Sequence, residues 1–214
     1  MFDRLFKPKP DKDVRHHVVI TGTGRTGTTF LVELLTHLGL STGYTPRDFE
    51  HIMKSHSRAG LEADIRSENA PYIVKSPWFC GYSEEIIHNK KIVLDHVLLP
   101  FRDIESAVAS RVRVVKEHPE SDLKPSEIIG GLFGTDKVEE QAAVLQKNVL
   151  MLLNALADSH VPVTLLSFPR LVKDPEYCYR KLLPILGKIK YPRFKQSFEA
   201  VSHPEFVHTF TPQG

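Results

Sequence analysis

The sequence predicts an α/β protein of three layers, in which helices flank a central parallel β-sheet. Short apolar or β-branched runs alternate along the chain with longer stretches of helical periodicity. The short runs contain few polar residues, which is typical of parallel strands that are buried on both faces. The chain has 214 residues, and we expect a flexible arm over 1–14 followed by a single domain over 15–214.

The predicted elements alternate, and each strand is followed by a loop and a helix. The predicted strands are His17–Thr21, Tyr72–Lys75, His96–Phe101 and Val163–Ser167. The predicted helices are Thr28–Leu38, Ser83–Asn89, Ile104–Lys116, Val138–Ser159 and Pro175–Leu186. Residues 117–136 predict a loop, and the chain after Lys188 shows no clear period. Ligands of parallel sheets bind beyond the carboxyl ends of the strands, so we expect the site there.

Bulk composition excludes several classes of protein. The net charge is +2 with histidine neutral, which is too small to predict binding of nucleic acid. The sequence contains no run of about 18 apolar residues, so no transmembrane segment is predicted. The first residues lack the apolar run of a signal peptide, and we expect a cytoplasmic protein. Cys80 and Cys178 are far apart and predict free thiols, and no metal site is predicted.

A glycine-rich loop lies between the first predicted strand and the first predicted helix. Residues 22–29 read Gly-Thr-Gly-Arg-Thr-Gly-Thr-Thr. Glycines allow a tight turn and a close approach to a ligand, and the helix start directs amides at an anion. A guanidinium adds a cation whose fork suits phosphate. The predicted binding residues are Gly24, Arg25, Thr26, Gly27, Thr28 and Thr29.

The spacing of this loop matches the Walker A pattern except at one position. The pattern requires Lys after the last glycine, and Thr28 stands there. Arg25, ahead of Gly27, provides a cation instead. This exchange counts against an ordinary ATPase or kinase, whose Lys reaches the β- and γ-phosphates. A glycine-rich turn without a ligand is the other interpretation, and the flanking strand and helix disfavour it.

The segment Arg25-Thr26-Gly27-Thr28-Thr29-Phe30-Leu31 resembles the 5′-phosphosulfate-binding loop of sulfotransferases. These enzymes use 3′-phosphoadenosine 5′-phosphosulfate (PAPS). The resemblance implies a three-layer P-loop-type domain over 15–214, with PAPS as the donor and adenosine 3′,5′-bisphosphate (PAP) as the product. It also implies transfer of a sulfuryl group to a hydroxyl or amine by in-line displacement.

Arg102 follows the third predicted strand, and Ser110 lies on the next helix. The residues alone leave two interpretations open, a second phosphate site or a strand-end Arg paired with Asp103. Sulfotransferases bind the 3′-phosphate with an Arg at a strand end and a Ser eight residues later, so the resemblance assigns this role to Arg102 and Ser110. Leu171-Val172-Lys173-Asp174-Pro175 also resembles a later segment of the family, and the likeness covers about 15–115 and 160–187.

The resemblance implies Arg25 and Lys75 as catalytic cations, because family members often carry a Lys at the end of the second strand. The base departs from the family pattern. Cytosolic members have a His two residues after that Lys, and Pro77 stands there. Other members use a carboxylate after the first helix, and Glu50 is our candidate among three residues in that region, the others being Asp48 and His51.

Two other functions share the predicted fold. A nucleoside-triphosphate-dependent kinase or hydrolase requires a magnesium-binding carboxylate at a strand end, for which Asp103 is the candidate. A non-catalytic nucleotide-binding relative would bind the nucleotide without transfer. No pattern specifies the acceptor, which could be a carbohydrate, a lipid, a small molecule such as a phenol, or a protein tyrosine.

Overall fold

The computed structural model describes residues 13–52, 59–118 and 122–203, except for the side chain of Glu50. The predicted arm over 1–14 therefore lies, apart from its last two residues, outside the described part of the chain. Within the described ranges, no helix combines the length and the apolar character that crossing a membrane requires.

The centre of the fold is a four-stranded, fully parallel β-sheet. The order across the sheet is β2-β1-β3-β4, so that β1 is an inner strand. Val19 of β1 lies opposite Val74 on β2 and Val97 on β3. The strands are β1 (Arg15–Ile20), β2 (Ile73–Lys75), β3 (Ile92–Phe101) and β4 (Val163–Ser167).

Eight α-helices are found among the described residues, and they connect or follow the strands. They are α1 (Thr28–His37), α2 (Phe49–Ile52), α3 (Ser83–Ile87), α4 (Ile104–Lys116), α5 (Val138–Ala157), α6 (Arg170–Lys173), α7 (Pro175–Leu186) and α8 (Tyr191–Val201). Aspartate side chains cap two helix starts: Asp103 accepts from the Ser106 amide and Asp174 accepts from the Tyr177 amide.

Helices cover both faces of the sheet. Alternate residues of a strand point to opposite faces, so each strand contributes to both cores. On one face, Val18 and Ile20 pack in a core with α1, α7 and α8. On the other face, Val19 packs in a second core with α3 and α5, and α4 packs on α5. The predicted α/β class, a parallel sheet flanked by helices, is confirmed.

The observed elements differ most from the predicted ones in strand β3 and in helices α2, α6 and α8. β3 begins at Ile92 rather than at His96. The start of this strand is buried on one face only, because Val93 is exposed and Leu94 is buried. Helices α2 and α6 are single turns that the sequence did not predict. Helix α8 contradicts the prediction of no period after Lys188, and its Phe198 ring packs edge-on against Phe30 of α1, with centroids 5.4 Å apart.

Candidate functional site

A cavity of about 400 Å³ lies where the carboxyl ends of the strands meet. The loops after all four strands line it, together with the segment Ser126–Phe133, which forms a separate wall. We define the β2 end of the cavity by Lys75, Glu62 and Trp78, and the β3 end by Arg102, Ser110 and Arg111. Among the predicted site residues, the cavity is lined by Gly24, Arg25, Gly27, Thr28, Thr29, Lys75, Arg102 and Ser110.

The glycine loop adopts the backbone that its sequence predicts. Gly24 and Gly27 have φ of 69° and 83°, a left-handed conformation in which side chains are strained. A Cβ on Gly24 would collide with the guanidinium of Arg111, so a close approach also requires glycine there. Arg25 adopts φ of 59° although it is not glycine, and strained backbone of this kind is enriched at functional sites.

Lys75 is buried at the carboxyl end of β2, with an exposed fraction of 4%. Its ammonium donates to the Thr29 hydroxyl at 2.8 Å, to the Gly60 carbonyl at 2.5 Å and to Glu62 Oε1 at 2.8 Å. Burial lowers the pKa of Lys75, and the neighbouring Glu62 carboxylate opposes this shift. Lys75 is therefore buried at the end of its strand, and its ammonium is hydrogen-bonded directly to Thr29 of the glycine loop.

The two predicted anion sites adjoin. The Nε of Arg25 donates to the Ser110 hydroxyl at 3.2 Å, which connects the glycine loop to helix α4. The Nη1 of Arg102 donates to the Arg25 carbonyl at 3.3 Å, and its guanidinium lies 5.0 Å from the centre of the Phe168 ring. Ser110 is buried, with an exposed fraction of 5%. Residues far apart in sequence therefore form one polar cluster at the sheet edge.

Arg111 also belongs to this cluster, although no motif in the sequence predicts it. It is 5% exposed, and it donates to the carbonyls of Thr23 and Gly131, in each case at 2.6 Å. Its Nε is buried without a hydrogen-bond partner. The available signal was its position on α4, since it lies four residues after Ala107 and three before Val114, which are both buried. A charged residue on the core-facing stripe of a helix requires a reason.

The guanidinium groups of Arg25 and Arg111 are electrostatically strained. Burial, followed by the repulsion of Arg102, lowers the pKa of Arg25 to about 10. Burial, followed by the repulsion of Arg25, lowers the pKa of Arg111 to about 10. Cations held this close in a desolvated place are stabilised by a bound anion.

Three predicted residues lie elsewhere or are not described. Thr26 does not line the cavity, and its buried hydroxyl has no hydrogen-bond partner. The side chain of Glu50 lies outside the described residues, although its backbone is in α2. Asp103 accepts the Ser106 amide at 2.8 Å as the cap of α4. Within the described ranges, no three His, Cys, Asp or Glu residues are grouped as metal ligands.

Comparisons with known proteins add no family assignment. The chain matches no protein-family model, no curated protein and no solved structure.

Proposed function

We propose that this protein is a P-loop-type sulfotransferase, which moves a sulfuryl group from PAPS to a hydroxyl or amine acceptor. The observation that carries the proposal is the convergence of a glycine loop and four cations on one cavity. The four cations are Arg25, Lys75, Arg102 and Arg111. They outnumber the two carboxylates that line the same cavity, Glu62 and Glu127. This excess of positive charge favours a ligand with several negative charges.

The two ends of the cavity correspond to the two charged ends of the donor. The 5′-phosphosulfate would bind at the loop, beside Arg25 and Lys75, and the 3′-phosphate would bind Arg102 and Ser110. The cavity volume of about 400 Å³ falls within the usual range for small-molecule sites. The charge and the volume of the site therefore support PAPS as the donor, and PAP would be the nucleotide product.

The transfer follows the logic of phosphoryl transfer, in which positioning and charge stabilisation supply most of the catalysis. The acceptor oxygen or nitrogen forms a bond to sulfur while the bond from sulfur to the 5′-phosphate oxygen breaks. The acceptor loses its proton and the bisphosphate leaves. Arg25 and Lys75 neutralise the negative charge that develops on the bridging oxygen. Glu50 remains a prediction for the base, since its side chain lies outside the described residues.

Thermal stability measured with different nucleotides tests this proposal directly. A ligand that binds only the folded state at 100 times its Kd stabilises the fold by about 2.7 kcal/mol. We expect PAP to raise the Tm more than ATP or AMP at equal concentration, and the PAP effect to shrink with salt. A larger shift with ATP and magnesium would instead favour a kinase or hydrolase. Radiolabelled PAPS, offered with carbohydrate, lipid and small phenol acceptors, then separates transfer from binding alone.

A further inference from the structure

The ammonium of Lys75 already has a partner for each of its donors. A protonated lysine has three N–H groups, and Thr29, Gly60 and Glu62 accept one each. An anionic ligand group can therefore bind Lys75 at full strength only if it replaces one of these acceptors. One of the three acceptors must be able to move away from the ammonium.

Glu62 is the acceptor that can leave. The Gly60 carbonyl belongs to the backbone, and Thr29 is held in the first turn of α1. The Glu62 side chain is 24% exposed and lines the cavity. Its Oε1 bonds Lys75, while its Oε2 has no hydrogen-bond partner among the described residues. A carboxylate is also the acceptor that an incoming anion repels most strongly.

The backbone around Glu62 is held in an unusual conformation. Leu61 has φ of 63° although it is not glycine, and its side chain is buried at 1% exposure. The Tyr44 hydroxyl donates to the Glu62 carbonyl at 3.0 Å, and the Ala63 amide donates to the Lys75 carbonyl at 3.0 Å. Strained backbone persists only where its surroundings determine it. These contacts fix the backbone of Glu62 beside Lys75 and leave the carboxylate able to rotate.

We propose that Glu62 is a positioning residue that holds the Lys75 ammonium until the 5′-anionic group of the nucleotide displaces its carboxylate. This inference depends on the proposed function for the identity of the nucleotide. It follows that Glu62 penalises every ligand that brings an anion to Lys75. A ligand that carries only a 3′-phosphate binds at the β3 end and leaves the ion pair intact. Glu62 thereby sets the affinity of the β2 end separately from that of the β3 end.

The substitution Glu62→Gln tests the inference by calorimetric titration with two probes. We expect the Kd for PAP to fall at least fivefold, because the amide competes less well for Lys75. The Kd for adenosine 3′-monophosphate should change by less than twofold. A role for Glu62 in structure alone predicts the opposite sign, with weaker binding of both nucleotides, and that result would overturn the inference.

Glu127→Gln is the matched control, because Glu127 also lines the cavity but accepts from the Lys124 amide instead of contacting Lys75. Equal tightening by both variants would reduce the effect to net charge and refute the inference. In a Lys75→Met background, Glu62→Gln should tighten PAP binding no more than Glu127→Gln does. Inorganic sulfate is a probe that needs no nucleotide site. If the wild type binds no PAP, the proposed function fails. The change in sulfate affinity caused by Glu62→Gln still decides whether Glu62 competes for Lys75.

Discussion

The two ends of the cavity balance their charge in different ways. At the β2 end, the Lys75 ammonium forms an ion pair with the Glu62 carboxylate at a distance of 2.8 Å. At the β3 end, the hydrogen bonds of Arg111 go to the carbonyls of Thr23 and Gly131, and Arg25 repels it. A carbonyl dipole compensates a buried cation less completely than a carboxylate does. An anion near Arg111 therefore adds a countercharge that its hydrogen-bond partners do not supply, whereas at the β2 end it exchanges with a carboxylate already present.

The largest effect is expected at Arg111, because its side chain joins the glycine loop to the wall Ser126–Phe133. Arg111→Met would leave two buried carbonyls unpaired, and hydrogen bonds to a charged group are worth about 1.5–3 kcal/mol each. Relief of desolvation and repulsion offsets part of this loss. We expect the free energy of unfolding to fall by about 3 kcal/mol in urea titration at pH 7, and PAP binding to be lost.

Arg113→Met, on the same helix, is the control for this prediction. Arg113 pairs with Glu117 at the surface, where its side chain is 41% exposed. Exposed pairs of this kind contribute between about 0 and 1 kcal/mol, so unfolding should change little. If Arg111→Met were as mild as Arg113→Met, the β3 end would not depend on a buried cation, and the contrast between the two ends would fail.

A smaller effect is expected where the glycine loop approaches Arg111. Gly24 and Gly187 both have left-handed φ, of 69° and 57°. A Cβ on Gly24 meets the Arg111 guanidinium, whereas a Cβ on Gly187 has no neighbour within 4 Å. Each change to Ala carries a backbone strain of about 1–3 kcal/mol, but only Gly24→Ala also displaces the cation.

Thermal melts and PAP titrations of both variants separate these costs. We expect Gly187→Ala to lower the Tm and to leave the Kd for PAP unchanged. Gly24→Ala should lower the Tm further and raise the Kd about tenfold, which corresponds to 1.4 kcal/mol. Similar Kd values for the two variants would mean that the position of Arg111 does not control binding.

The sequence predicted those parts of the fold that local patterns determine. Strand β4 and helices α4 and α7 have the predicted bounds, since an apolar run or a capped amphipathic stretch defines each. Helix α8 was missed although its buried residues, Phe194, Phe198 and Val201, are four and three positions apart, which is helical spacing. These residues belong to the core that α8 shares with α1 and α7.

In the candidate site, too, the sequence predicted some residues and not others. The glycine loop was predicted because a turn is a local feature, and Lys75 was predicted because the family resemblance implies a Lys at the end of the second strand. The ion pair between Glu62 and Lys75 and the contact of Arg111 with Gly131 join residues 13 and 20 positions apart across irregular loops. No period or motif encodes such pairs, since they depend on how the segment before β2 and the wall Ser126–Phe133 fold back over the sheet.

The smallest expected effect uses the single tryptophan of the chain. Trp78 is 53% exposed and lines the β2 end, so its emission reports events near Lys75. We expect saturating PAP to shift or quench this emission, and adenosine 3′-monophosphate at saturation to leave it nearly unchanged. Trp78→Phe retains an aromatic ring and should change the Kd for PAP by less than twofold. Equal emission changes with both nucleotides would show that the two ends respond together, because a ligand confined to the β3 end would then alter the surroundings of Trp78 as strongly as one that also reaches Lys75.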